Sequence, residues 1–133
     1  MILLTNSAEI TLAAGQALTF DTVALRFGCG EYHRENSSAV KMCFNGPYIA
    51  SFSGNIGGTT AATPVQLAFA IGGEVLTDSL MISTPAAVGE LNNVSKTIGL
   101  ANRCGDYDRI TIINNGTEPV VVGAGSSFLV TRV

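Results

Sequence analysis

Hydrophobic and polar residues alternate with a period of two in several short runs along the chain. Val65, Leu67 and Phe69 occupy every second position of one such run. A later run over residues 110–113 ends at the Asn-Asn-Gly sequence of residues 114–116. Period-two runs separated by glycine and asparagine clusters are typical of antiparallel β-strands. No segment shows a helical stripe with capping residues, so the pattern predicts an all-β protein.

The runs predict about eight to ten strands, which suits a β-sandwich or a jelly roll. Gly72 and Gly73 separate two alternating runs and predict a tight hairpin, because primed turns require positive φ angles. Polar residues 31–38 predict a solvent loop, and residues 84–93 predict a second loop with room for one helical turn at 84–89. The predicted strands and extended segments cover residues 9–13, 17–27, 40–44, 48–53, 65–71, 75–83, 110–113, 120–122 and 128–133, with a further strand starting near residue 94.

Charged residues are scarce for a chain of this size. The 133 residues suit one domain, residues 1–133, with a sizeable core. Charged residues make up 13% of them, against roughly 25% in typical soluble proteins. Residues 42–73 contain none at all. We therefore expect much of the surface to be covered by other copies of the chain. The alternative is a monomer whose surface consists of Ser, Thr, Asn and Gly.

One strand inside the uncharged run predicts where that contact lies. Tyr48 and Phe52 share one face of the strand, and their rings suit the interior of a sandwich. Ile49, Ser51 and Ser53 share the other face, where a strand that meets water normally carries charged residues. Small uncharged residues at these three positions would let several copies approach closely, so we expect them in a subunit interface.

Composition excludes several classes of partner. The formal net charge is −3 and the seven basic residues are scattered along the chain, whereas nucleic-acid binding needs clustered Lys and Arg. No window approaches the roughly 20 continuous apolar residues of a membrane-spanning helix. The first ten residues lack the basic and apolar regions of a secretory signal. We expect no nucleic-acid or membrane partner, and synthesis in a cytoplasm.

Candidate catalytic and zinc-binding residues are few. His33 is the single histidine and no G-x-S-x-G elbow accompanies it, so we expect a solvent-facing loop histidine and no catalysis. Cys29, Cys43 and Cys104 could join His33 in a zinc site, but no C-x-x-C motif supports one. The favoured interpretation is that the three cysteines are unpaired and buried, and pack as small hydrophobic residues. A disulfide from Cys29 to Cys43 or Cys104 requires maturation outside the cell.

Asp106 and Asp108 form the chain's candidate calcium motif, because carboxylates two residues apart can act with loop carbonyls. The simpler interpretation is that Asp106 closes a turn while Asp108 pairs with Arg109. We therefore expect no metal and no cofactor.

Four segments resemble the C1q/TNF-like jelly rolls. GPYIASFSGNI resembles the family's G-x-Y-x-x-x-aromatic strand, and VQLAFAIGGEVL resembles the hairpin that follows it. LANRCGDYDRITIINNG resembles the family's L-x-x-G-D segment, and SSFLVTRV resembles the terminal strand of a bacterial branch found in exosporium glycoproteins and phage proteins. The resemblance covers roughly residues 9–133. The chain departs from the family in lacking a Gly-X-Y stem, in its Gly28-Cys29-Gly30 loop and at Arg103-Cys104.

The resemblance implies a ten-stranded antiparallel jelly roll that forms a compact homotrimer. It also implies that Leu129, Thr131 and Val133 of the last strand join Ile49, Ser51 and Ser53 in the trimer interface.

The sequence thus supports a non-enzymatic structural or interaction protein. The favoured hypothesis is a trimer displayed on a phage virion as a capsid decoration, a head fibre or a tail-fibre tip, with capsid or tail proteins as partners. The alternative is a carbohydrate- or receptor-binding module on a bacterial spore or cell surface, since jelly rolls hold such sites in loops. Only Tyr32 and Tyr107 lie in predicted loops as stacking residues for a sugar.

Overall fold

The computed structural model describes residues 1–102 and 109–133. Within these ranges the chain forms thirteen β-strands and one turn of 3₁₀ helix, Thr77–Ser79. The strands are β1 (Ile2–Thr5), β2 (Ile10–Leu12), β3 (Thr22–Arg26), β4 (Glu31–His33), β5 (Val40–Met42), β6 (Gly46–Gly58), β7 (Val65–Ile71), β8 (Glu74–Val75), β9 (Met81–Ser83), β10 (Asn92–Asn102), β11 (Arg109–Asn114), β12 (Val120–Val122) and β13 (Ser127–Arg132).

The strands form two antiparallel sheets that pack face to face as a jelly-roll sandwich. In the first sheet, the long strand β6 pairs with β10 along one edge and with β13 and β12 along the other. β1 joins β13, β3 joins β1, and β2 joins β12. The second sheet has the order β4-β5-β11-β7-β8, and β9 also pairs with β7. The predicted all-β jelly roll is confirmed.

The core lies between the sheets and follows from the alternation of the long strands. Tyr48, Ala50 and Phe52 of β6 are buried, whereas the residues between them are more exposed. Phe128 of β13 lies opposite Phe52 in the register. Its ring centroid lies 6.0 Å from that of Phe69 on the second sheet, so aromatic contact joins the two layers. Fully burying a side chain of this size stabilises the fold by about 1.5–3 kcal/mol.

The Gly72-Gly73 hairpin is confirmed, since φ is 57° at Gly72 and 88° at Gly73. The strand predicted to return from it over 75–83 is interrupted. Its residues form β8, the 3₁₀ turn and β9. The buried hydroxyl of Ser79 accepts the Phe69 amide proton at 3.0 Å and donates to the Leu76 carbonyl oxygen at 2.6 Å. This side chain therefore replaces a backbone ladder bond where the strand breaks. No helical turn occurs at 84–89.

The predicted first strand over 9–13 is not the first strand of the fold. Ile2–Thr5 precedes it and pairs with the terminal strand on one side and with β3 on the other. The predicted segment contributes only the three residues of β2, and the one predicted over 40–44 contributes only Val40–Met42. Pairing with distant strands, rather than local alternation, decides these bounds.

The prediction of a solvent loop over 31–38 is wrong for its first three residues, which form β4. Glu31 and His33 point inwards and are buried, while Tyr32 points outwards. The Glu31 carboxylate contacts the amino group of Met1 and accepts the Arg132 amide proton at 2.7 Å. Burial of this charge is tolerated because both partners satisfy it.

Candidate assembly surface

The outer face of the first sheet holds the six residues predicted for the subunit interface. Ile49, Ser51 and Ser53 occupy outward positions of β6, and Leu129 and Thr131 occupy outward positions of the neighbouring strand β13. Val133 follows directly, and its amide donates to the Pro47 carbonyl oxygen at 3.1 Å. The fold thus brings all six to one surface, which we call the uncharged face. Their role in an interface stays a prediction.

Strand register extends the uncharged face across five strands. Ser51 lies opposite Thr97 of β10 on one side and opposite Leu129 of β13 on the other. Leu129 lies opposite Leu3 of β1, and Leu3 lies opposite Leu25 of β3. The Thr97 hydroxyl donates to the Ser51 hydroxyl at 3.0 Å, which fixes two of these side chains against each other. The row is polar at the β10 edge and aliphatic towards β3.

A second row on the same face consists of hydroxyl-bearing side chains. Reading from β10 to β3, its members are Ser95, Ser53, Ser127, Thr5 and Thr22. A third row joins Gly99, Ile49 and Thr131. None of the residues in the three rows carries a charge.

A cation on the edge strand points the other way. Lys96 lies opposite the buried Phe52 on the inner side of the edge strand β10, where it is half-buried. An inward charge on an edge strand discourages further strand pairing. The three rows are thus apolar and polar without charge, and Ile49 and Leu25 are 39% and 45% exposed in the single chain.

The residues contributed by β1, β3 and β10 were not among the predicted interface positions. The sequence of β10 could have indicated its outward positions, because Ser95, Thr97 and Gly99 alternate with Ile98 and Leu100. The sequences of β1 and β3 could not, since Leu3 and Leu25 resemble core residues until the register is known. A leucine on the outer face looks the same in sequence as a leucine in the core.

The prediction that His33 faces solvent is wrong. The ring is buried, with Nδ1 3.0 Å from the Ala39 carbonyl oxygen and Nε2 3.1 Å from the Phe20 carbonyl oxygen. Phe20 also meets the ring edge-on, at 6.4 Å between centroids. Both nitrogens face backbone groups inside the protein, so this histidine is positioned to hold the β4–β5 connection rather than to meet a substrate.

The favoured interpretation of the cysteines is wrong for two of them, because Cys29 and Cys43 are free and exposed. The Gly28–Gly30 bend and the end of β5 leave both thiols at the surface, where no core residue covers them. Cys104, Asp106, Tyr107 and Asp108 lie outside the described residues. Within residues 1–102 and 109–133, no three His, Cys, Asp or Glu side chains lie close enough together to hold a metal ion. The same ranges contain no helix with the length and apolarity to span a membrane.

Sequence comparison finds no match: no protein-family model fits the chain, and no curated protein resembles it. Solved structures match over almost its whole length. The globular domain of zebrafish complement 1qA superposes with a TM-score of 0.67 at 10% identity, covering 99% of this chain and 95% of that one. Eiger TNF from S. frugiperda superposes with a TM-score of 0.71 at 11% identity, covering 99% and 91%.

A viral protein shares the same arrangement. The PRD1 vertex protein P5 superposes with a TM-score of 0.55 at 12% identity, covering 99% of this chain and 94% of that one. Identities this low establish the architecture and nothing further. The chain therefore has the C1q/TNF-like jelly-roll fold, as its four sequence segments predicted.

Proposed function

We propose that the protein is a non-enzymatic structural module that assembles as a homotrimer through the uncharged face. The observation that carries the proposal is the absence of charge along all three rows of that face. A sheet face that meets water normally carries Lys, Glu or Arg. Contact with a second copy of the same face removes its exposed aliphatic side chains from water, which favours association.

Threefold assembly suits the side chains of this face. A rotation that closes on itself gives a ring of identical contacts and leaves no open end for further growth. Ser51, Ser53 and Gly99 are small, so three sheets can approach closely around an axis. The solved relatives of this fold include complement and TNF domains, which agrees with a role in assembly and recognition.

We further propose that the trimer is displayed on a phage virion, as a capsid decoration, a head fibre or a tail-fibre tip. The likeness to the PRD1 vertex protein P5 supports this placement, since that protein is named for a position on a viral particle. The partners would be capsid or tail proteins, and the chain would be made in the host cytoplasm. No cofactor has a part in this role.

Size-exclusion chromatography with light scattering tests the assembly. We expect a mass near three times the 13.7 kDa of one chain. A monomer at micromolar concentration would contradict the trimer. The gene neighbourhood tests the placement: adjacent capsid or tail genes would support a virion protein, and adjacent sporulation genes would contradict it in favour of a spore surface.

A further inference from the structure

Basic side chains are concentrated at one corner of the second sheet. Tyr32 of β4 lies opposite Lys41 of β5, and Lys41 lies opposite Arg109 of β11. All three point outwards and are exposed. Arg26 and Arg34 flank this row, so four of the chain's seven basic residues line its surroundings. A local group of cations on a chain of net charge −3 attracts anions to that corner.

Two shallow cavities meet at the row, and Tyr32 and Lys41 line both. The larger, of about 450 Å³, continues past Arg26 towards Cys29 and Cys43. The smaller, of about 210 Å³, is bounded by Arg34, Arg109 and Ser38 among others. We call the two together the basic cleft. Spaces of this size fit one or two small rings rather than an extended polymer groove.

Tyr32 is positioned as a stacking platform within the basic cleft. Its side chain is 52% exposed, which is unusual for a large aromatic residue on a strand. The Arg26 guanidinium carbon lies 5.8 Å from the ring centroid, and an Arg26 nitrogen donates to the His33 carbonyl oxygen at 3.4 Å. Arg26 is thereby anchored to β4 beside the ring, so ring and charge keep a fixed relation.

Among the described residues that line the cleft, the one carboxylate is that of Glu31, and it is already engaged. The Glu31 side chain is 1% exposed and contacts the Met1 amino group and the Arg132 amide. Its negative charge is therefore already compensated within the protein. An aromatic ring, several cations and serine hydroxyls are the groups that recognise a sugar carrying an acid: the ring stacks on the sugar, and Arg or Lys binds the acid.

We propose that the basic cleft binds an anionic sugar, that is, a carboxylate- or phosphate-bearing unit of a surface polysaccharide. Tyr32 packs against the sugar ring, Arg34, Lys41 and Arg109 bind the acid group, and Ser38 contacts sugar hydroxyls. The site lies mainly on the second sheet, with Arg26 contributed by β3 of the first, and none of its residues belongs to the three rows of the uncharged face. It therefore goes beyond the proposed assembly and does not depend on it.

Titration of the full chain with three probes, followed by calorimetry and amide NMR, tests the proposal. The probes are trigalacturonic acid, glucose 6-phosphate and the neutral galactotriose. We expect at least one of the two acids to bind, the neutral trisaccharide to bind at least tenfold more weakly, and shifts to centre on β4 and β5. Whichever acid binds more tightly identifies the acid group. Binding should weaken as NaCl is raised from about 50 mM to about 500 mM, because salt screens exposed charges.

Variants distinguish the cleft from general charge effects. The double variant R34Q/K41Q should lose about tenfold in affinity, as expected when charge-assisted bonds become neutral. The control Lys96→Gln removes a charge from β10, at the far edge of the sandwich, and should change affinity by less than about twofold. If the double variant does not fold, as judged by its melting temperature, Arg34→Gln alone replaces it, since Arg34 is exposed and lies beyond the end of β4.

The proposal is overturned if neither acid binds at about 10 mM, a concentration that detects even millimolar affinity. It is equally overturned if galactotriose binds as well as the acids, or if Lys96→Gln weakens binding as much as the double variant does. Short single-stranded DNA is a fourth probe: binding of DNA without binding of either acid would show a nucleic-acid surface and contradict a sugar site.

Discussion

The two outer faces of the sandwich differ in charge although they belong to sheets of similar size. The uncharged face of the first sheet carries hydroxyl and aliphatic side chains along three rows and no charge. The basic cleft at one corner of the second sheet holds four cations within a short distance of an exposed tyrosine. A surface that associates with copies of itself gains nothing from like charges, whereas a surface that recognises an anion requires them.

The comparison shows that a count over the whole chain hides how charge is distributed between the two sheets. Seven basic residues look scattered when they are counted along the chain. Folding gathers Arg26, Arg34, Lys41 and Arg109 because β3, β4, β5 and the start of β11 meet at one corner.

The largest expected effect is a loss of stability on substitution of a core residue on the inner side of β6. A substitution on the outer side of the same strand serves as the control. Phe52→Ala leaves a cavity beside Phe128 and should lower the free energy of unfolding by about 3–5 kcal/mol. Urea denaturation monitored by circular dichroism measures the change. Ser53→Ala, on the outer side of the same strand, should change stability by less than about 0.5 kcal/mol. Equal losses in the two variants would mean that the sides of β6 do not differ as described.

A smaller effect on stability but a clear effect on assembly is expected from Ser51→Arg. Three arginines would meet near the threefold axis, and burying unpaired charges costs several kcal/mol per ion. Light scattering should then give the mass of one folded chain. The matched control is Gln66→Arg, which adds the same charge to the outer side of β7 in the second sheet and should leave the trimer intact. A trimeric Ser51→Arg with an unchanged melting temperature would remove the uncharged face from the interface.

The sequence was informative where alternation runs long enough to show its period. β6 extends over thirteen residues, so its core-facing side, with Tyr48 and Phe52, could be predicted from the sequence. β7 extends over seven residues and showed its alternation as clearly, but both of its sides are largely buried. The hairpin at Gly72-Gly73 could also be predicted, because the positive φ angles that its turn requires belong to two adjacent residues.

The rest depends on partners that are distant in the chain. β1 and β4 have four and three residues, too few to show a period, and β1 is held by β13 from the opposite end of the sequence. Burial of Glu31 and His33 relies on backbone groups of Arg132, Ala39 and Phe20. The basic cleft likewise arises from register, since nothing in the local sequence places Tyr32, Lys41 and Arg109 in one row.

The smallest effect, and the finest test of the comparison, concerns the exposed thiols beside the basic cleft. Cys29 and Cys43 line its larger cavity together with Tyr32 and Lys41. If the trimer covers the uncharged face and leaves the second sheet open, iodoacetamide should modify both thiols in the assembled protein as readily as in dissociated Ser51→Arg. Peptide mass spectrometry reports each cysteine separately.

The same labelling links the two faces to their proposed roles. A saturating concentration of the acid that binds more tightly should slow modification of Cys43, because a ligand held at Lys41 and Tyr32 obstructs the approach to that thiol. Galactotriose should leave the rate unchanged. Protection of both cysteines in the trimer, together with rapid labelling in Ser51→Arg, would mean that subunits cover the cleft. In that case the charged corner would lie at the subunit contact together with Ser51, and the proposal that the second sheet stays open in the trimer would be wrong.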